Sequence, residues 1–335
     1  MAGDRYTSPP GRATADASAW DDAAEVVLLD MLTTHYAVTV SEIEARGSDR
    51  VYNPLLWPKP INPHHFTNAR KALAAAGALE PTSAPSRSHP EPITTWSRPP
   101  SRGLRRLIQG AAARKRLLTA RHAGWARRGG AGRGLIGRAG EDAVDTAMRE
   151  APDISSVSGS TTSLLGVELL GEVDNSAFYV DTTGLNPTAV ILVVEVKNTR
   201  SWYYPDDPAV LRFLAKAAHL QHKRPEAFVL PVFIGRQCHF TLWQLGKQHG
   251  FLPTWVRNQL VLADSDLAQP SLDEVAAGLG YRDLRLGNTP SNGHRGIFTS
   301  AIPARALTYA ERWRAHHLEY LRGDLEFQPA DDPDQ

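Results

Sequence analysis

The run AVILVVEVKNTRS, Ala189–Ser201, decides how this chain is read. Six apolar residues, Ala189 to Val194, lead without interruption into Glu195, Val196 and Lys197. An apolar run of this length with β-branched residues predicts a strand buried on both faces. Side chains alternate along a strand, so Glu195 and Lys197 leave the same face about 7 Å apart. Burying unpaired charge is costly, so a carboxylate and an ammonium delivered together at a strand end imply a joint task. Upstream, GEVDN places Asp174 at the end of another apolar stretch, with Val167, Leu169, Leu170 and Val173 before it. Two acids and a lysine at adjacent strand ends suit a divalent cation held beside a phosphate.

This arrangement resembles the PD-(D/E)xK nuclease superfamily, in which one strand supplies an Asp and the next a Glu-x-Lys. Asp174 takes the first position and Glu195-Val196-Lys197 the second, with Val173 standing where the nominal motif has Pro. The resemblance covers roughly 135–240. It implies an α/β fold with a restriction endonuclease-like core, a mixed central sheet flanked by helices. It also implies Mg²⁺, with Mn²⁺ able to substitute, held by Asp174 and Glu195 and assisted by the Val196 carbonyl. Lys197 then orients the attacking water or stabilises the transition state.

Two helices are expected around this core. In LIGRAGEDAVDTAMRE, Arg138, Asp142, Asp145 and Arg149 form a charged face, and Glu141 aligns with Gly137, Val144 and Met148 on the apolar one. By the resemblance Glu141 completes the metal site; its plain alternative is the edge of an amphipathic helix. In DDPAVLRFLAKAAHLQHKRPE, Pro208 and Pro225 bound a helix with Gln221 on its packing face. A buried amide needs a partner, so Gln221 is either an active-site contact, as the resemblance implies, or a satisfied core amide. The stripe Arg212, Lys216, His219 and Lys223 follows a nucleic-acid backbone or a solvated face. AFVLPVFIGR and HFTLWQLG are read as two further strands.

Charge is distributed unevenly. The 335 residues carry 37 Lys and Arg against 36 Asp and Glu. Between Pro92 and Gly140 there is no acid and there are twelve basic residues, Arg105, Arg106, Arg114, Lys115, Arg116, Arg127 and Arg128 among them. Leu104, Leu107, Ile108, Leu117 and Leu118 are interleaved, so an amphipathic basic helix is expected, followed by a glycine-rich hinge, GWARRGGAGRG. Phosphate contact is the expected use of this segment, with an arginine-rich linker as its plain alternative.

Residues 20–98 read as a separate module. Trp20–Tyr36 is a helix, a capping box at Ser41–Glu44 opens a second, and Asn62 with Pro63 opens a third that ends at Gly77. Residues 78–80 and 93–96 supply a hairpin, so the module is small, mainly helical and winged-helix-like, with Lys71 facing outward. The stretch 47–61 is long for a turn in that module, and contact with a protein, or a homodimer formed through it, stays open.

The chain therefore divides into a disordered tail (1–19), the winged-helix-like module (20–98), a basic helical linker (99–133), the nuclease core (134–250), a C-terminal extension (251–323) and an acidic tail (324–335). A single cysteine, Cys238, excludes an internal disulfide. No apolar run reaches the length of a membrane span and no signal peptide is evident, so a cytoplasmic location without membrane contact is expected. The glycines of RRGGAGRG lack the Lys-Ser/Thr of a phosphate loop. His316 and His317 read as surface residues without an acid at ligand spacing. The expected function is metal-dependent cleavage of phosphodiester bonds, in DNA first and RNA second. The alternative is a DNA-binding or scaffolding regulator on a catalytically idle core.

Overall fold

The computed structural model describes residues 17–48, 61–86, 91–128, 134–157, 159–182, 186–264 and 268–322. The tail before residue 17, the stretch 49–60, residues 129–133 of the expected hinge and the acidic tail lie outside them, while Gly124 and Trp125 of that hinge belong to α4 and Gly134 to α5. In chain order the elements are α1 (Ala17–His35), β1 (Ala37–Thr39), α2 (Val40–Gly47), α3 (Pro63–Ala75), β2 (Glu80–Ala84), β3 (Ile93–Ser97), α4 (Arg105–Trp125), α5 (Gly134–Glu150), β4 (Ile154–Ser156), β5 (Thr161–Leu164), β6 (Val167–Val173), β7 (Asn175–Asp181) and β8 (Thr188–Tyr203). They continue with α6 (Pro208–Lys223), β9 (Phe228–Cys238), α7 (Phe240–His249), β10 (Leu252–Trp255), β11 (Gln259–Val261), α8 (Gln269–Leu279), β12 (Leu284–Leu286), α9 (Asn292–Gly296) and α10 (Ala306–Arg322).

The described residues form two compact units, one lying within 1–132 and 263–284, the other within 133–262 and 285–330. In the first, β1 and β2 flank β3 in an antiparallel sheet. The core below it joins Trp20, Leu28 and Met31 of α1 to Ile43 of α2 and Phe66 and Leu73 of α3. The helix α2 opens two residues earlier than expected: Thr39 caps it by accepting from the Glu42 amide. That frees Glu42 for a buried task, a salt bridge to Arg46 Nε at 2.8 Å and another to Lys115. The basic helix α4 is part of this unit rather than a linker, packing on β1, β3 and α8.

The second unit is mixed α/β. Its central sheet has the order β10-β9-β8-β7-β4, antiparallel from β4 through β8 and parallel from β8 to β10. Alternation along β8 sorts its side chains. Val190, Leu192, Val194 and Val196 face a core shared with Val144, Ala147 and Met148 of α5 and with the segment from Ile297 to Ala310. Ile191 and Val193 face the opposite core, with Val210, Phe213, Leu214 and Ala217 of α6. Both faces are apolar, which is why the run has no polar interruption. The same alternation carries Glu195 and Lys197 to the α6 side.

HFTLWQLG is not a strand. His239 caps the segment by accepting from the Thr241 amide, and Gly250, at φ +84°, ends it as α7. The buried pair Leu242 and Leu245 shows helical, not alternating, spacing. The C-terminal extension is likewise divided: α8 belongs to the first unit and α10 to the second, where it packs on α6, α7 and β9.

Candidate functional site

Asp174 lies between the end of β6 and the start of β7. Since Asn175 pairs with Val194, Asp174 arrives beside Glu195. Its Oδ2 accepts the Val196 amide at 2.7 Å and stands 3.8 Å from Lys197 Nζ. Lys197 Nζ donates to Glu195 Oε1 at 2.6 Å. The second oxygen of Glu195 is met by Lys216 Nζ from α6 at 3.2 Å, and that ammonium also donates to the Glu172 carbonyl at 2.6 Å. The two carboxylates are nearly withdrawn from solvent, with side-chain exposures of 12% for Asp174 and 7% for Glu195.

The electrostatics follow from this crowding. Burial pushes the Asp174 carboxyl up to about 6, and the negative charges of Glu195 and Glu141 push the same way against Lys197 and the Val196 amide. For Lys197, burial opposes the charge, yet Glu195, Asp174 and Glu141 outweigh it and hold the ammonium above the usual lysine range. Glu141, half-buried on α5, is thus near enough to bias both groups. Asp174, Glu195 and Glu141 are three acids against two ammoniums, Lys197 and Lys216.

The donor set fits a hard divalent cation. Carboxylate oxygens suit Mg²⁺, and an Asp whose ionisation is opposed by burial and a neighbouring acid gains most from a cation. Asp174 and Glu195 are the residues placed to hold one, with Glu141 beside them. Each Glu195 oxygen accepts one ammonium hydrogen bond and keeps a second lone pair, so Glu195 can ligate a cation with Lys197 and Lys216 in place.

A residue not singled out from sequence steadies β8 here, where the strand runs on to Tyr203 instead of ending after Lys197. Asn198, the residue after Lys197, is buried and donates to the carbonyls of Ile136 and Leu260 at 2.7 Å each, while its Oδ1 accepts the Leu260 amide at 3.1 Å. Gly140 permits this approach, because a Cβ there would lie 2.6 Å from the Asn198 Cβ. The polar side chain directly after a Glu-x-Lys on a buried strand was the available signal.

The remaining candidates separate. Gln221 is fully buried and its Nε2 donates to the carbonyls of Arg224 and Ala227 at 3.0 Å each, so it ties off the end of α6 away from the carboxylates. Lys216, expected in an outward stripe, turns inward onto Glu195 because α6 packs over the middle of β8, beside Ile191 and Val193. Lys115 is buried against Glu42 and the Gly278 carbonyl, which removes it from any surface that could meet phosphate. Arg116 is half-buried and donates to Thr95 Oγ1 at 3.2 Å, and Arg114 lies 3.8 Å from Glu274. Arg105, Arg106, Arg127 and Arg128 are exposed on and just after α4, and Lys71 is exposed on α3. No helix among the described residues is long and apolar enough to cross a membrane.

No protein-family model matches the chain, and no curated protein matches it. Among solved structures, that of the restriction endonuclease FokI is similar at 10% identity with a TM-score of 0.22, over 86% of this chain and 48% of that one. The chain thus spans about half the length of that protein. At so low a score the reading of the site rests on its own geometry.

Proposed function

We propose that this protein is a metal-dependent nuclease that hydrolyses phosphodiester bonds, with DNA as its substrate. The observation that carries this reading is the convergence of Asp174, Glu195 and Lys197 at one end of the central sheet. In this reading Asp174 and Glu195 hold Mg²⁺, and Glu141 supports them. A bound Mg²⁺ supplies polarisation of the phosphoryl oxygen and a more acidic water. Lys197, kept protonated by its acidic neighbours, cannot accept a proton at neutral pH. Its role is therefore to donate a hydrogen bond to a phosphate oxygen and stabilise the charge that grows there. Lys216 holds the second Glu195 oxygen and sets that carboxylate's orientation.

Exposed Arg105, Arg106, Arg127, Arg128 and Lys71 are the groups proposed to contact phosphates. The first unit's order of helix, strand, two helices and antiparallel hairpin supports a winged-helix-like reading, a shape suited to DNA. A second reading has its own support: with both Glu195 oxygens engaged by ammoniums, the core could bind nucleic acid without cutting it. Incubation with supercoiled plasmid, single-stranded DNA and single-stranded RNA, in Mg²⁺ or Mn²⁺ and in EDTA, separates the two. Metal-dependent cleavage of either DNA supports the nuclease; cutting of RNA alone reassigns the substrate; salt-sensitive binding without cutting supports the regulator.

A further inference from the structure

Gly250, which ends α7, is pressed against α10: a Cβ there would fall 2.2 Å from the Tyr309 carbonyl oxygen and 2.3 Å from the Trp313 amide. This close approach brings the last residue of α7, His249, onto the α10 ridge of Trp313, His316 and Tyr320. The His249 ring lies 5.0 Å from that of His316 and 5.6 Å from that of Tyr320. Glu319 stands one helical turn from His316, so an acid is present at ligand spacing after all, contrary to the expectation for these histidines. His316 Nδ1 is 2.8 Å from Glu319 Oε1, and His249 Nδ1 is 3.4 Å from Glu319 Oε2. One ligand atom from each of the three residues can be taken so that all lie within 4.8 Å of one another.

We infer that His249, His316 and Glu319 form a binding site for a divalent transition metal of the Zn²⁺ class, which fastens the end of α7 to α10. Two imidazoles and a carboxylate are a donor set that Zn²⁺ takes with one further position left for water. Zinc–ligand bonds of about 2.0–2.1 Å in a tetrahedron place neighbouring donors about 3.3 Å apart, close to the His249–Glu319 separation. A second observation points the same way. His249 Nδ1 is buried and makes no hydrogen bond. The opposite side of the site is open, with His316 42% and Glu319 43% exposed, which gives an ion a route in.

The test is titration of the chelator-stripped full chain with Zn²⁺ by calorimetry, alongside thermal melts with and without the metal. Wild type and Asp174→Asn, which alters only the other acidic centre, should both take up about one equivalent at this site and melt at higher temperature with Zn²⁺. Made in the Asp174→Asn chain, which leaves this site as the one read, His316→Ala and Glu319→Gln, both at half-exposed positions, should not change the metal-free melt. Each should weaken Zn²⁺ binding by more than about tenfold and lose the thermal shift. No uptake by wild type overturns the inference. So does uptake that survives either substitution in the Asp174→Asn chain, or that disappears in Asp174→Asn alone.

Discussion

Lys216 Nζ sits 3.2 Å from Glu195 Oε2, on the side of the carboxylate opposite Lys197. Glu195 is therefore gripped from both oxygens, by a lysine two residues along its own strand and by another from α6. Exchanging Lys216 for Met keeps the stem but removes the grip. If the carboxylate's orientation matters to the chemistry, cleavage should fall on the order of 10²-fold, with Lys216→Arg recovering part of it. Single-turnover rates on plasmid DNA check this, with a thermal melt of each variant to separate positioning from folding.

Lys197 stands apart from Lys216 in what its loss should spare. Lys197→Met should reduce cleavage by about 10²–10³-fold, as removal of one electrostatic donor does, while Mg²⁺ or Mn²⁺ binding persists. Asp174→Ala should abolish both. Metal titration by calorimetry beside the activity assay reads the two effects separately.

Asp174 also predicts a pH dependence with a definite sign. Its folded pKa, about 6, lies above the value of about 3.9 for a free Asp. Between those values the folded chain holds a proton that the unfolded chain has lost, so this group's contribution to stability declines as pH rises from about 4 to about 6. Asp174→Asn removes that decline. The melting temperature of the metal-free variant should gain on wild type as pH rises through this window, and then keep a constant lead. Metal affinity of the wild type should fall below pH of about 6, because protonated Asp174 is a poor ligand.

The alternation along β8 was legible because both of its faces are apolar up to Val194, which makes Glu195 and Lys197 the first charges in the strand; that β8 runs on to Tyr203, so that the pair lies mid-strand, was not. Helices α5 and α6 were legible from their periodicity and from Asp207 and Pro208 at the start of α6. Lys216 was not. Its spacing with Arg212 and Lys223 describes an outward stripe, and only the crossing of α6 over β8 turns it inward. The segment that forms α7 misleads locally, since Phe240, Leu242 and the later residues can be read as alternating. Its capping by His239 and its termination at the left-handed Gly250, whose amide donates to the Gly246 carbonyl, are both local signals. Lys115 was hidden because its partner Glu42 falls in a capping box two residues out of register with the true start of α2.

The two kinds of basic residue on α4 should therefore separate experimentally. Lys115→Met leaves Glu42 buried with Arg46 alone and should cost on the order of 3 kcal/mol of stability, read by urea denaturation. Arg105→Ala combined with Arg106→Ala should change stability by less than about 1 kcal/mol. In the same double variant, DNA binding should weaken and the slope of log affinity against log salt should shrink by about 0.9 for each phosphate no longer neutralised.

Asn198→Ala should destabilise the second unit on the order of 3 kcal/mol, because the carbonyls of Ile136 and Leu260 and the Leu260 amide would lose their partner in a buried setting. The same denaturation experiment checks it, and any loss of cleavage in that variant should track the loss of folded protein.

Cleavage of supercoiled plasmid in Mg²⁺ by wild type, Asp174→Ala and Lys197→Met, run side by side with an EDTA control, tests the central claim most directly. Nicking or linearisation by wild type, abolished by EDTA and by Asp174→Ala and reduced at least about a hundredfold by Lys197→Met, is the predicted result. Cleavage that persists in both variants, or a wild type that binds the plasmid and never cuts it, would contradict the assignment of the chemistry to Asp174, Glu195 and Lys197.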